Sequence, residues 1–350
     1  NRGAARAERV KEAFMTNSRF DVVGIGNAIV DVLTQTDDAF LDQQGLAKGA
    51  MTLVDEAQAA KVYDKAGPAI ECSGGSAANT IAVMAGLGAK CAFAGKVRND
   101  AFGRIFAHDI QSLGVHFDTA PAEDGPATAN CLVLVTPDAQ RTMLTYLGAS
   151  IHLKPADVDL EVIKAAKVTY LEGYLWDPED AKAAFRTAAQ AARAAGREVS
   201  LSLSDPFCVD RHRADFLDLI EGHVDILFAN EAEIMALYQV DDFDAAVEKV
   251  KGHCKVAALT RSEKGSVVVS AAGVEAVKAA PVTQVIDTTG AGDAYAAGFL
   301  YGYTRDEDLA ACARMGGIAA AEVIAQIGAR PETDLKAALA LKLRNWDAAD

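Results

Sequence analysis

Apolar residues along this chain fall into two periods. Runs such as Phe20–Ile25, Lys167–Leu171, Glu198–Leu203, Asp225–Ala229 and Lys255–Thr260 are short and largely apolar inside, the pattern of strands buried on both faces. Between such runs the apolar positions recur three and four apart. Phe102, Ile105, Phe106, Ile110 and Leu113 are the clearest case and predict a helix over 100–113. Further helices are expected at 55–66, 76–87, 178–195, 209–220, 231–238, 291–304, 306–325 and 333–344. Further strands are expected at 90–96, 266–270 and 274–278, the last two as a hairpin across Ala271-Ala272-Gly273. A short strand is also expected within 280–286. Repeated β-α-β units imply a mostly parallel sheet with helices on both faces.

Two stretches break this alternation. Strands are expected at 30–36 and 50–54 around a small helix at 37–44, and again at 116–119, 129–136 and 141–147 with no helix between them. These predict a small antiparallel sheet set apart from the main one. The expected organisation is an α/β core from 19–29, 55–114 and 148–345, a β lid from 30–54 and 115–147, and an N-terminal extension over 1–18. The natural start is expected at Met15.

At 350 residues, with 51% hydrophobic and 24% charged positions, the composition is that of a globular protein with a sizeable core. A formal net charge of −15 argues against nucleic acid and acidic membrane surfaces as partners, since both need basic patches. The six cysteines are scattered without a Cys-x-x-Cys pair, which predicts free thiols, no zinc site and a cytoplasmic location. No apolar run approaches a membrane span, and the first 14 residues lack the apolar centre of a signal peptide.

In such sheets ligands bind beyond the carboxyl ends of the strands, and the distinctive residues fall there. Asp287-Thr288-Thr289-Gly290-Ala291-Gly292-Asp293 opens a helix. The first N–H groups of a helix have no internal partner and favour an anion. An acid at that place, Asp293, suits a proton acceptor for a hydroxyl that attacks a phosphate. Gly-x-Gly-Asp alone also fits a glycine-rich turn with an Asp cap. Gly74-Gly75-Ser76-x-x-Asn79 opens another helix and offers bare backbone with two polar side chains. Asp31, four residues after Asn27, has two oxygens for adjacent hydroxyls. Gly24-Ile25-Gly26 lacks the third glycine of a dinucleotide fingerprint, and Gly95-Lys96 lacks the flanks of a Walker A loop.

Together the two glycine stretches resemble the two signatures of the PfkB (ribokinase-like) family of carbohydrate and nucleoside kinases, and the resemblance runs from about Phe20 to Ala340. It implies a ribokinase-like three-layer sandwich with a small antiparallel β lid. ATP is the implied co-substrate, with Mg²⁺. By this resemblance Asp293 is the base, and Gly290, Ala291 and Gly292 complete the anion hole, Gly292 also touching ATP. Asn27, Asp31, Gly74, Gly75, Ser76 and Asn79 hold the acceptor. Asn230 and Glu233, from an Asn-x-x-Glu motif, organise ATP and, through water, Mg²⁺. Thr260 and Gly265 form the nucleotide loop, where Ser262 replaces a glycine of the family pattern. Arg141 is the lid arginine that reaches the phosphate, and Asp287 with Thr289 flank a potassium site. Gly24-Ile-Gly26-Asn27-Ala-Ile-Val-Asp31 with Gly74-Gly75-Ser76-Ala-Ala-Asn79 looks most like the adenosine kinases. Other purine nucleoside kinases, and kinases of ribose, fructose or a ketodeoxy sugar acid, are the alternatives. The chain is expected to act as a monomer or as a homodimer through the lid.

Overall fold

A computed structural model describes residues 18–138 and 140–347; the expected extension, but for Ser18, and the expected start at Met15 lie outside them. The strands are β1 (Phe20–Ile25), β2 (Ile29–Gln35), β3 (Met51–Leu53), β4 (Ala69–Gly74), β5 (Cys91–Ala94), β6 (Ala129–Val135), β7 (Arg141–Tyr146), β8 (Ala166–Glu172), β9 (Glu198–Ser202), β10 (Ile226–Asn230), β11 (Val256–Thr260), β12 (Ser266–Ser270) and β13 (Gly273–Val277). The α-helices are α1 (Asp38–Gln44), α2 (Glu56–Tyr63), α3 (Ser76–Gly86), α4 (Ala101–Ser112), α5 (Leu160–Lys164), α6 (Glu179–Ala194), α7 (Pro206–His223), α8 (Glu231–Tyr238), α9 (Phe243–Val250), α10 (Ala291–Tyr303), α11 (Leu309–Ile324) and α12 (Leu335–Asp347).

The large sheet has the order β13-β12-β11-β10-β9-β8-β1-β5. It is parallel from β11 to β5, and β12 and β13 close one edge antiparallel. Its strands alternate between two cores. Val168, Tyr170, Ile226, Phe228 and Ala258 face α3, α10 and α11. Leu171, Leu227, Ala229, Ala257 and Leu259 face α6 to α9. Side chains of period two buried on both faces explain why these strands read as apolar runs. The three-layer ribokinase-like α/β architecture expected from the sequence is present.

The second sheet has the order β3-β7-β6-β2-β4. It is mixed, where an antiparallel one was expected: β2 runs parallel to β6 and β3 parallel to β7. Between β2 and β6 the chain travels through the large sheet, so it returns in its original direction. Val30, Val32, Leu132, Leu134 and Leu144 pack one face onto Leu41 of α1, Val62 of α2 and Phe106 of α4. The opposite face carries Ile29, Asp31, Leu33, Cys131, Val133, Val135 and Met143.

Four further local expectations are corrected. β4, inside a stretch assigned to the core, belongs to the small sheet; it is an edge strand with Ile70 exposed and pairs only with β2, so its own pattern is weak. His116, expected in the lid, makes an isolated parallel bridge to Ala92 of β5, and its neighbours Val115 and Phe117 are buried in the main core. Residues 280–286 form no strand; Ile286 instead donates its N–H to the Ile324 carbonyl at 2.8 Å. Helix α9 was not expected. Among the described residues no helix is long and apolar enough to cross a membrane.

One ion pair outside the cleft fastens the edge of the large sheet to the chain returning from the lid. Lys96, after β5, contacts Asp157 Oδ1 at 2.7 Å, and both side chains are about nine-tenths buried. Lys96 also donates to the Ala120 carbonyl at 2.9 Å. Removing one partner leaves a buried charge unmatched, at a cost of about 3 kcal/mol. Asp157→Ala is therefore expected to lower unfolding stability by about that amount in urea titration. The double change Lys96→Met with Asp157→Leu should recover most of it; a double variant as weak as the single one contradicts the electrostatic origin.

Candidate active site

The chain crosses from the large to the small sheet at Gly26-Asn27-Ala28, between β1 and β2. Glu172, at the carboxyl end of neighbouring β8, holds this crossing. Its Oε1 accepts the Asn27 N–H at 3.3 Å and Asn27 Nδ2 at 2.7 Å, while Oε2 accepts the Ala77 N–H at 2.7 Å. The Ala77 N–H belongs to the first turn of α3, so the carboxylate also serves a helix N-terminus. Ser150 Oγ donates to Asn27 Oδ1 at 2.8 Å. Asn27 is thus 3% exposed with both ends of its amide bonded within the protein. Sequence reading placed it against the acceptor; in the structure its amide is engaged with Glu172 and Ser150. Burial pushes the Glu172 carboxyl up to about 7, against the pull of these donors.

Asp31 lies next to Gly74, and a Cβ at residue 74 would sit 2.2 Å from Asp31 Oδ2. Any side chain there would displace the carboxylate, which explains the glycine. No described donor bonds to Asp31, so both its oxygens stand open. Desolvation raises it to about 6; Arg330 and Arg141 pull it down and Asp293 pushes it up.

Asp293 is in the first turn of α10 and takes a hydrogen bond from Ser76 Oγ, at the start of α3, at 2.6 Å. Burial raises it to about 6, and Ser76, Asn79 and Arg330 act against that rise. Gly290, the cap residue before α10, has φ +75°, and a Cβ there would strike Ala329 at 2.7 Å. A left-handed turn with no room for a side chain requires glycine. The Ala291 N–H goes to the Thr288 carbonyl at 3.2 Å, so it is not open to a ligand as expected. The N–H groups of Gly292 and Asp293 meet no acceptor among the described residues, and a Cβ at Gly292 would meet nothing within 4 Å.

Asp287 steadies this loop. Its Oδ1 accepts the Thr289 N–H at 3.0 Å and the Thr289 hydroxyl at 2.8 Å; Oδ2 accepts the Gly328 N–H at 3.0 Å. Arg141, reaching over from β7, places Nη2 2.8 Å from the same Oδ2. Neither that N–H nor Nε is aligned on an acceptor, although the side chain is 8% exposed. The guanidinium therefore sits beside the anion loop with donors to offer. The Asp287 carboxylate and the Thr289 hydroxyl are committed to the protein, so neither stands free for a cation.

A second group gathers at the ends of β10 and β11, where Asn230 and Thr260 are register partners. Asn230 caps α8 and forms a reciprocal box with Glu233: the Glu233 N–H to Asn230 Oδ1 at 2.9 Å, Asn230 Nδ2 to Oε1 at 2.6 Å and the Asn230 N–H to Oε2 at 2.9 Å. Burial lifts the Glu233 carboxyl to about 7, with Asp205 and Asp293 adding to the rise. The Asp293 influence places both groups in one electrostatic field. Ser262, at the position of the family's glycine, adopts φ +51°, a conformation glycine holds more easily, and Gly265 ends that turn at φ +86°.

The sequence reading missed two residues. Glu172 had a usable signal: it ends an apolar strand and is followed by Gly173, where this architecture puts its ligands. Arg330 had none, standing alone between α11 and α12. Its Nε donates to Asn79 Oδ1 at 3.0 Å and its Nη1 to Ser73 Oγ at 3.0 Å and Asp109 Oδ2 at 3.3 Å.

Residues 53–335 match the model of the pfkB family carbohydrate kinases. The adenosine kinase of Sinorhizobium meliloti is 51% identical, with a TM-score of 0.85 over 93% of this chain and 99% of that one. The probable sugar kinase of Rhizobium etli is 49% identical, with a TM-score of 0.85 over 93% of this chain and 98% of that one. The adenosine kinase of Saccharomyces cerevisiae is 28% identical over 332 residues, 88% of this chain and 95% of the yeast protein. A glycine-framed anion loop with an acid at its mouth, in a chain that aligns over nearly its full length with such relatives, makes this protein a member of the pfkB carbohydrate kinase family: an ATP-dependent phosphotransferase with an alcohol as acceptor.

Proposed function

We propose that the acceptor is adenosine, phosphorylated at its 5′-hydroxyl to give AMP and ADP. The observation that carries this reading is the sheet face on which Asp31 stands. Leu33, Cys131, Val133, Val135 and Met143 share that face with it, as do Thr145 and Arg141, and Met51, Leu53 and Ile70 continue the face outward with 54%, 60% and 72% of their surfaces exposed. An open carboxylate beside an extended apolar wall fits a molecule with vicinal hydroxyls at one end and a flat, weakly polar ring at the other. A small sugar would use the carboxylate and leave the wall bare. Charge points the same way. Arg141 is matched by Asp287 and Arg330 by Asp109, so Asp31, Asp293 and Glu172 bias the site against an anionic acceptor such as a sugar acid.

In the proposed reaction Asp293 accepts the proton of the 5′-hydroxyl as its oxygen bonds to the γ-phosphorus. The bond from that phosphorus to the β–γ bridging oxygen breaks, and its electron pair leaves with ADP. The open N–H groups of Gly292 and Asp293 and the unaligned donors of Arg141 face the charge on the moving phosphoryl group. Asp31 accepts from the ribose hydroxyls, with Gly74, Gly75 and Asn79 framing them. Asn230, Thr260, Gly265 and Gly292 border ATP. Mg²⁺ would supply charge neutralisation at the phosphates. The donor set fits it: each Glu233 oxygen already accepts from Asn230, which leaves the carboxylate to reach an ion through water. An ion carried by the nucleotide and held to Glu233 through water suits that arrangement. Potassium at the 287–289 loop also belongs to the proposal, with main-chain carbonyl oxygens as ligands.

Three outcomes are expected. Asp293→Asn should fold and bind adenosine normally, yet lose at least ~100-fold in kcat; near-normal turnover contradicts its role as base. For the intact protein, log kcat/KM should fall as pH drops below about 6, because Asp293 must be ionised to accept a proton. The slope should exceed that of one proton, since Asp31 also sits near 6 and must be charged to hold hydroxyls; a single-proton slope contradicts that requirement. An ADP-release assay with adenosine, guanosine, inosine, ribose and fructose, run in potassium and in sodium buffer, should give the highest kcat/KM for adenosine and faster turnover in potassium. Preference for ribose or fructose would overturn the adenosine reading, and equal rates in the two buffers would remove the potassium site.

A further inference from the structure

Thr260 and Gly265 bound a loop in which Ser262 sits at φ +51°. In that left-handed region a side chain crowds the backbone, and a residue other than glycine persists there only where its surroundings hold it. Three main-chain bonds close the loop. The Arg261 N–H donates to the Gly265 carbonyl at 2.8 Å, the Lys264 N–H to the Arg261 carbonyl at 3.0 Å and the Gly265 N–H to the Ser262 carbonyl at 3.1 Å. The far end rests against β13, since a Cβ at residue 265 would meet the Val277 carbonyl oxygen at 2.1 Å. The near end is tied from outside the loop. Glu231 opens α8 directly after Asn230, the register partner of Thr260. Its Oε1 accepts Arg261 Nη2 at 2.9 Å, and Lys264 Nζ lies 3.6 Å from its Oε2. The Arg261 guanidinium also lies over Phe243 of α9, 4.0 Å from the ring centre. An acid in the first turn of a helix is ordinary. Two cations that flank a strained residue and meet on that one acid are not explained by the helix.

We propose that Glu231 is a positioning residue for the nucleotide: by taking Arg261 on one oxygen and Lys264 beside the other, it clamps the 260–265 loop, with Ser262 in its left-handed conformation, in the shape that receives ATP. The inference rests on the reading of Thr260 and Gly265 as ATP contacts. It does not depend on which alcohol is the acceptor. The clamp also joins two neighbouring parts of the site, because Glu231 adjoins the Asn230–Glu233 box while Arg261 adjoins Thr260 at the end of the next strand. Charge and position predict opposite signs here. ATP is an anion, so by charge alone the loss of Glu231 would tighten its binding. A positioning role predicts weaker binding, because the loop relaxes away from its receiving shape. Glycine holds a left-handed conformation without strain, so Ser262→Gly should supply what the clamp supplies.

The test uses the full-length protein and reads the loop and the ligand separately. Hydrogen exchange of the Lys264 and Gly265 amides is followed by NMR without nucleotide. Binding is followed by calorimetric titration with a non-hydrolysable ATP analogue and Mg²⁺, and separately with the preferred acceptor of the ADP-release assay. Glu231→Gln should speed the exchange about fivefold and raise Kd for the analogue by a similar factor, with the acceptor affinity unchanged. Adding Ser262→Gly to Glu231→Gln should recover most of the lost nucleotide affinity. Unchanged exchange in Glu231→Gln overturns the clamp and leaves ATP at the loop. Faster exchange with wild-type or tighter analogue binding removes ATP from the loop, and the proposal with it. A double variant that binds as weakly as Glu231→Gln overturns the link to Ser262. An equal loss of acceptor and analogue affinity shows a general loosening of the fold and overturns the positioning role.

Discussion

The carboxylate of Glu172 is the constraint around which the site is assembled. It is 1% exposed and accepts three hydrogen bonds, two from the turn where the chain leaves the large sheet and one from the start of α3. Gly26 allows that approach, because a Cβ there would meet Oε2 at 2.3 Å. One buried acid therefore sets the angle between β1 and β2 and the position of the helix that carries Ser76 and Asn79. A buried carboxylate left without donors costs far more than one left in water. The backbone of residues 26–27 and 77 is thus held where the acid needs it, and the acceptor-facing groups inherit that placement.

The site holds more acid than an anion-handling centre ordinarily tolerates. Asp31, Asp293, Glu172 and Glu233 all have proton affinities raised chiefly by burial. Each has a different compensation. Glu172 and Glu233 are surrounded by N–H donors and serve as frameworks for α3 and α8. Asp293 has Ser76, Asn79 and the distant charge of Arg330. Asp31 has no bonded donor at all, only two arginines within electrostatic range. That gradient, from fully satisfied to open, separates the acids that hold the framework from those with oxygens to spare more cleanly than their spacing in the sequence does.

Much of this architecture is legible in the sequence, and for identifiable reasons. The strands of the large sheet are apolar on both faces, so their runs are plain. The anion loop is plain because Gly290 and Asp293 open a helix in a setting that local chemistry explains, although no strand precedes it. The small sheet is legible only in part. β4 is an edge strand that borrows its order from β2, and the parallel pairing of β2 with β6 depends on where the intervening chain travels, which no local pattern records. Asp287 looks like a cation ligand by resemblance, yet its oxygens go to Thr289, Gly328 and Arg141. Asn27 looks like a substrate contact and is bonded on both sides to protein. Arg330 bonds to Asn79, 251 residues earlier in the chain, a distance over which residue spacing carries no information.

The two parallel pairings of the small sheet bear on how the molecule comes into being. Ile29 pairs with Ala129 and Met51 with Met143, so nearly a hundred residues separate partners that must find one another. Closing loops of that size is entropically opposed until other contacts shorten them. The β1–β5 ladder of the large sheet and α4 do that shortening, since β5 returns alongside β1 and α4 packs against β2 and β4. The cap over the cleft is therefore expected to be among the last parts to consolidate. A nascent chain halted before β6 would have β2 paired with β4 alone, its other edge waiting for a strand not yet made.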